Sequence, residues 1–90
     1  MKSFDTEVVS ETEWRTTNRY GESITAYLMD DGTVEFSHSD MGADRLRIQN
    51  VLGLFSVVND EGDPVIVSPE EMRWMLHAEA DLKAAEALSE

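Results

Sequence analysis

The run Ser37-His38-Ser39-Asp40 holds every residue type of a nucleophilic triad. A triad needs serine and imidazole in hydrogen-bond contact, with the imidazole's other nitrogen oriented by the acid. In an extended segment successive side chains point to opposite faces, so His38 turns away from both serines. The run therefore reads as a strand end with a polar, partly exposed imidazole. His38 and Asp40 share a face and would ligate a metal only if His77 or a glutamate approached, and a histidine on an amphipathic helix, as His77 is, usually sits at the surface. Asp60-Glu61-Gly62-Asp63 lacks the alternating ligands and closing bidentate glutamate of a calcium loop, and reads as a solvated turn. With 19 carboxylates in 90 residues, close acid pairs arise by chance, so none is singled out for general acid-base work. The glycines fall singly, which leaves no phosphate-cradling loop. Cysteine is absent, which removes disulfides, thiolate metal sites and cysteine nucleophiles. The expectation is a non-enzymatic protein with no metal and no cofactor.

The elements that would position these residues are legible from pattern. Ile24 to His38 reads as a hairpin, with Asp31-Gly32 supplying a two-residue turn. That turn would pair Met29 with Val34 and Tyr27 with Phe36 on the core face, leaving Leu28, Ala26, Glu35 and Ser37 on the other. Thr12 to Asn18 precedes it as a strand, joined through the turn Arg19 to Glu22, and Phe4 to Val9 adds an edge strand guarded by Asp5 and Glu7. Leu54 to Val58 and Val65 to Val67 flank the turn formers Asn59 to Pro64 as a further hairpin. Between the two hairpins, Asp40 to Gly53 carries two patterns: Asp44 to Gln49 alternates like a strand, which is the favoured reading, while Leu46, Val51, Leu52 and Phe55 also tolerate a short helix.

Ser68-Pro69-Glu70-Glu71 combines an N-cap serine, proline at the first helical position and a capping-box glutamate, which starts a helix running to about Leu88. Trp74, Ala78, Leu82 and Ala85 form its packing stripe. Met72, Met75 and Leu76 widen the apolar arc, so that end is either wedged between sheet and loop or meets another chain through Met72 and Leu76, as in a homodimer. The sum is one acidic α+β domain over residues 1–90: an antiparallel sheet of four to six strands with the helix on one face. The expected core comprises Trp14, Tyr27, Met29, Val34, Phe36, Phe55, Val57, Ile66, Trp74, Met75 and Leu82.

Charge carries the functional expectation. The 19 acidic residues against 7 basic give a net charge of -12, dispersed along the chain rather than gathered in a tail. Affinity for phosphate backbones comes from Lys and Arg, so direct nucleic-acid binding and docking on anionic membranes have the wrong sign. No apolar run approaches the roughly 20 residues of a membrane span, and the start lacks the apolar stretch of a signal peptide, so a cytoplasmic protein is expected. The favoured partner is a basic protein surface, including one that normally holds nucleic acid. In composition, though through no motif, the chain resembles small acidic inhibitors encoded by phages and mobile elements, among them nucleic-acid mimics and anti-CRISPR proteins. The partner-binding residues expected are Asp30, Asp31 and Glu35, then Asp60, Glu61 and Asp63, at the turns, with Glu70, Glu71, Met72, Leu76, Glu79 and Glu86 on the helix. The alternative is a small structural or oligomeric subunit whose acidity serves solubility or salt adaptation.

Overall fold

The computed structural model describes residues 5–18, 20–42 and 44–88. Phe4, at the start of the expected edge strand, and Arg19, in the expected turn, lie outside them. Strands β1 (Asp5–Ser10), β2 (Glu13–Thr17), β3 (Ser23–Leu28) and β4 (Val34–His38) form one antiparallel meander. After a 3-10 turn at Ser39–Met41, β5 (Arg47–Val51), β6 (Leu54–Val58) and β7 (Pro64–Val65) form a second, and helix α1 (Pro69–Leu88) ends the chain. The fold is α+β, with two sheets of four and three strands where one of four to six was expected. The division has a local cause: the strand entering β5 meets β4 only at Leu46, whose amide and carbonyl both bond Phe36 at 2.7 Å, and then leaves to pair with β6.

The register of the β3–β4 hairpin is one residue away from the expected one. Met29 N donates to Thr33 O at 2.8 Å and Gly32 N to Met29 O at 3.0 Å, so the loop is Asp30-Asp31-Gly32, with Gly32 at φ 87°. The Asp31 carboxylate fixes this three-residue loop by accepting both the amide and the hydroxyl of Thr33, at 3.0 and 2.6 Å. Leu28 then pairs with Val34 and Ala26 with Phe36. Because side chains alternate with period two, the slip turns β3 over. Ile24 and Ala26 enter the core with Val34 and Phe36, while Tyr27 faces outward, half-buried, beside Glu35. Loops 18–22 and 59–63 close with the same bonds and a glycine at the same place, Gly21 and Gly62.

The core lies between the inner face of the four-stranded sheet and α1. Trp74, Met75, Ala78 and Leu82 of the helix bury against Ile24, Ala26, Val34 and Phe36, with Leu46 and Val57 closing one side. Phe36 meets Trp74 edge to face at 6.5 Å, and Trp74 Nε1 donates to Thr6 Oγ1 at 2.8 Å, which anchors the outermost strand to the helix. Each large apolar side chain buried here contributes about 1.5–3 kcal/mol. Several expected core positions are corrected. Ile66 is 93 % exposed because Val65 and Val67 take the inward positions on either side of it. Phe55 is half exposed because the β5–β6 hairpin runs past the end of the core, and Trp14 and Met29 are half-buried at its border. Among the described residues no helix is long and apolar enough to cross a membrane.

Candidate functional site

Two groups of side chains stand out, one at each end of β4. At the end that begins with Val34, the hairpin loop brings Asp30, Asp31 and Glu35 around a single depression with Leu28, Met29 and Thr33. Its continuation is a groove of about 500 Å³ between the β1–β2 turn, the end of β3 and α1. Val8, Trp14, Leu28 and Ala85 give that groove an apolar lining, and Glu11 and Asp30 stand among them. The bonds to the Thr33 hydroxyl and then its amide hold the Asp31 carboxyl below its ordinary range.

The second acidic loop approaches from the outer side. Asp60 accepts the Arg45 amide at 3.5 Å, and the Arg45 guanidinium lies 4.2 Å from the centre of the Tyr27 ring, whose residue pairs with Glu35. Asp60 is thereby linked through Arg45 and Tyr27 to the strand that carries Glu35. Glu61 and Asp63 share its loop and are exposed; their amides bond the Asn59 side chain.

At the other end of β4, His38 is buried, not partly exposed as the sequence suggested. Its Nδ1 accepts the Asp40 amide at 3.1 Å, so the ring proton of the neutral imidazole sits on Nε2 and is donated to Glu71 Oε2 at 2.8 Å. Glu71 Oε1 accepts the Ser68 amide at 3.0 Å and Ser68 Oγ accepts the Glu71 amide at 3.1 Å, completing the expected capping box. Burial alone would raise the Glu71 carboxyl, but the Ser68 amide and the His38 bond outweigh it and hold the group below its ordinary range. Glu71 is therefore a buried tie between sheet and helix, and the expectation that it faces a partner is corrected.

Glu22 completes this cluster: one of its carboxylate oxygens lies within 4.8 Å of ligand atoms on His38 and Glu71. Glu22 and Asp40 bring their carboxyls near enough to bond when one of them is protonated. That bond, together with the lesser effects of desolvation and of the Glu22 charge, raises Asp40, while the same bond and the Asn18 amide, which donates to Glu22 Oε1 at 2.8 Å, lower Glu22. Asp40 thus holds the shared proton longer than an isolated aspartate would.

The donor set, one imidazole and carboxylates, is of a kind that binds divalent metals. The hydrogen bonds oppose that use. A metal at Nε2 would drive the ring proton to Nδ1, directly against the Asp40 N–H, and would remove the bond from His38 to Glu71 Oε2. Both nitrogens of His38 are committed, so neither neighbouring serine is activated; Ser39 Oγ instead accepts the Ser23 amide at 3.0 Å. His77 does not join the cluster and pairs with Asp81 at 3.0 Å on the helix surface.

The remaining helix positions are less available than their sequence suggested. Met72 packs against the core and Leu76 is half-buried, so the wide apolar arc is largely wedged inside. Glu79 lies 3.9 Å from Lys83, and Glu70 is half-buried in the first turn, at the far end of β4 from Asp31. Glu86 lies near the end of α1, and its side chain is outside the described ones. Sequence reasoning passed over Glu11 and Glu22, whose neighbours are distant in the chain, and over the exposed apolar residues Val51, Leu52 and Leu54. The chain matches no protein-family model, no curated protein and no solved structure.

Proposed function

We propose that the protein is a non-enzymatic binding module that takes a basic, partly apolar face of a partner protein into the groove beside Asp30. One observation carries the reading: an apolar surface formed by Trp14 and Leu28 continues into a depression ringed by Asp30, Asp31 and Glu35. A net charge of -12 steers cationic surfaces toward the molecule, and the apolar floor slows their departure. In its narrower form the proposal makes that basic face one that otherwise holds nucleic acid. The alternative, an oligomeric subunit kept soluble by its acidity, draws support from the exposed apolar residues of the β5–β6 hairpin.

The test is affinity capture from host lysate at low salt with gradient elution. It is run in parallel on the natural chain and on Asp30→Asn, Asp31→Asn, Glu35→Gln combined, which keeps the loop's acceptor to Thr33. The natural chain should retain a basic protein that elutes with salt and that the triple variant releases early. Retention of the same proteins by both would remove this surface from the interface, and competition by duplex DNA for the captured protein decides the narrower form.

A further inference from the structure

Residues 49–56 are all exposed although they belong to two paired strands and the turn that joins them. The β5–β6 hairpin therefore projects from the body as an arm, and Val51, Leu52, Leu54 and Phe55 show apolar surface at its tip, with Leu52 98 % exposed. A two-stranded hairpin without a packed face is marginal in water, and contiguous exposed apolar side chains mark a contact surface.

Free sheet edges invite pairing with other chains and are usually blunted. The outer edge of β1 has Glu7 and a register irregularity between Val8 and Ser10. Strand β7 is two residues long and begins with Pro64. The outer edge of β4 is engaged at Phe36 by Leu46. The outer edge of β5 has none of these devices: Arg47-Ile48-Gln49-Asn50-Val51 contains no proline and no acid, and its pairing with β6 is uninterrupted. The two-residue turn at Leu52-Gly53 makes Val51 and Leu54 the closing hydrogen-bonded pair, so alternate residues Gln49 and Arg47 also bond β6, and Ile48 and Asn50 direct their backbone groups outward. Leu46, of the same parity as Ile48, does bond away from β6, to Phe36. Among the described residues no strand pairs with this edge beyond Leu46.

Charge selects the occupant. Residues 45–59 are the longest stretch of the chain without Asp or Glu, and they include Arg45 and Arg47. Two molecules of net charge -12 repel wherever their carboxylates meet, and this arm is where they can approach with none opposed. We propose that two copies pair antiparallel through the outer edges of β5, about a two-fold axis at Gln49, joining the three-stranded sheets into one of six strands. In that register Ile48 exchanges both backbone bonds with Asn50 of the other copy. Each Arg47 faces Val51 of the other copy, not its own equivalent, and the two Gln49 side chains meet at the axis.

The proposal concerns the purified chain alone and stands or falls independently of the groove. Sedimentation velocity up to about 1 mM protein, in about 150 mM and about 500 mM salt, should show a dimer favoured by the higher salt, since screening removes the net repulsion. Gln49→Glu sets two carboxylates across from each other and should raise the dimer Kd about tenfold at the lower salt, with partial recovery at the higher. Amide exchange at Ile48 and Asn50 should slow as the protein concentration rises, while that of Gln49, already bonded to β6, stays constant. A monomer throughout would overturn the proposal. So would a dimer indifferent to Gln49→Glu whose Ile48 and Asn50 amides gain no protection.

Discussion

His38 Nε2 lies 2.8 Å from Glu71 Oε2 across 33 residues of chain, and through this bond the last residue of β4 holds the first turn of α1. Replacing either partner leaves a buried polar group without its match. Glu71→Ala also removes half of the capping box, and the two losses should cost about 1–3 kcal/mol each. Urea denaturation should show Glu71→Ala as the more damaging change than Ser68→Ala, which removes the cap alone; equal costs would mean that the His38 bond contributes nothing.

Acid should act on the same tie. The folded-state carboxyl of Glu71 is depressed, so the stability it contributes is present above the ordinary glutamate range and is lost as pH falls through the lower, folded value. The natural chain should accordingly lose stability on acidification more steeply than Glu71→Gln in thermal melts. Parallel curves would show that the depression is absent.

Asp40 works in the opposite sense. Its carboxyl is raised in the fold, first by the bond to Glu22, so its favourable contribution holds below the ordinary aspartate range and is lost as pH rises through the raised value. Asp40→Asn donates to Glu22 at every pH and keeps the backbone amide that serves His38. The variant should melt higher than the natural chain at neutral pH and alike in acid; a constant difference across the range would refute the shared proton.

Phe36 and Tyr27 separate the two possible hairpin registers. With Phe36 fully buried against Trp74 and Tyr27 outside beneath Arg45, Phe36→Ala should cost about 3–5 kcal/mol. Tyr27→Ala should cost about 1 kcal/mol through the lost contact with the guanidinium. Similar costs in denaturant titration would indicate that both face the core.

That pair also shows what the sequence could not decide. Asp31-Gly32 serves equally in a two-residue turn and in the last two places of a three-residue loop, and the choice rests on the bonds from Asp31 to Thr33. Neighbour-pairing rules see the dipeptide but not the slip, so the faces of β4 were legible and those of β3 were inverted. The helix start was legible because its capping box is a local pattern within four residues. The exposure of Asp30 and Asp31 was legible too, since turns stay in solvent, while Glu35 is half-buried on the outer face of its strand. The cluster of Glu22, His38, Asp40 and Glu71 was not, because it depends on how two hairpins and a helix meet.

The bond from Trp74 to Thr6 reaches from the helix to the outermost strand of the sheet. Its indole therefore doubles as a built-in optical gauge: peeling of β1 would free the ring's N–H and expose the chromophore. Detachment of that single strand should then be visible as a change in ultraviolet emission before the rest of the molecule opens.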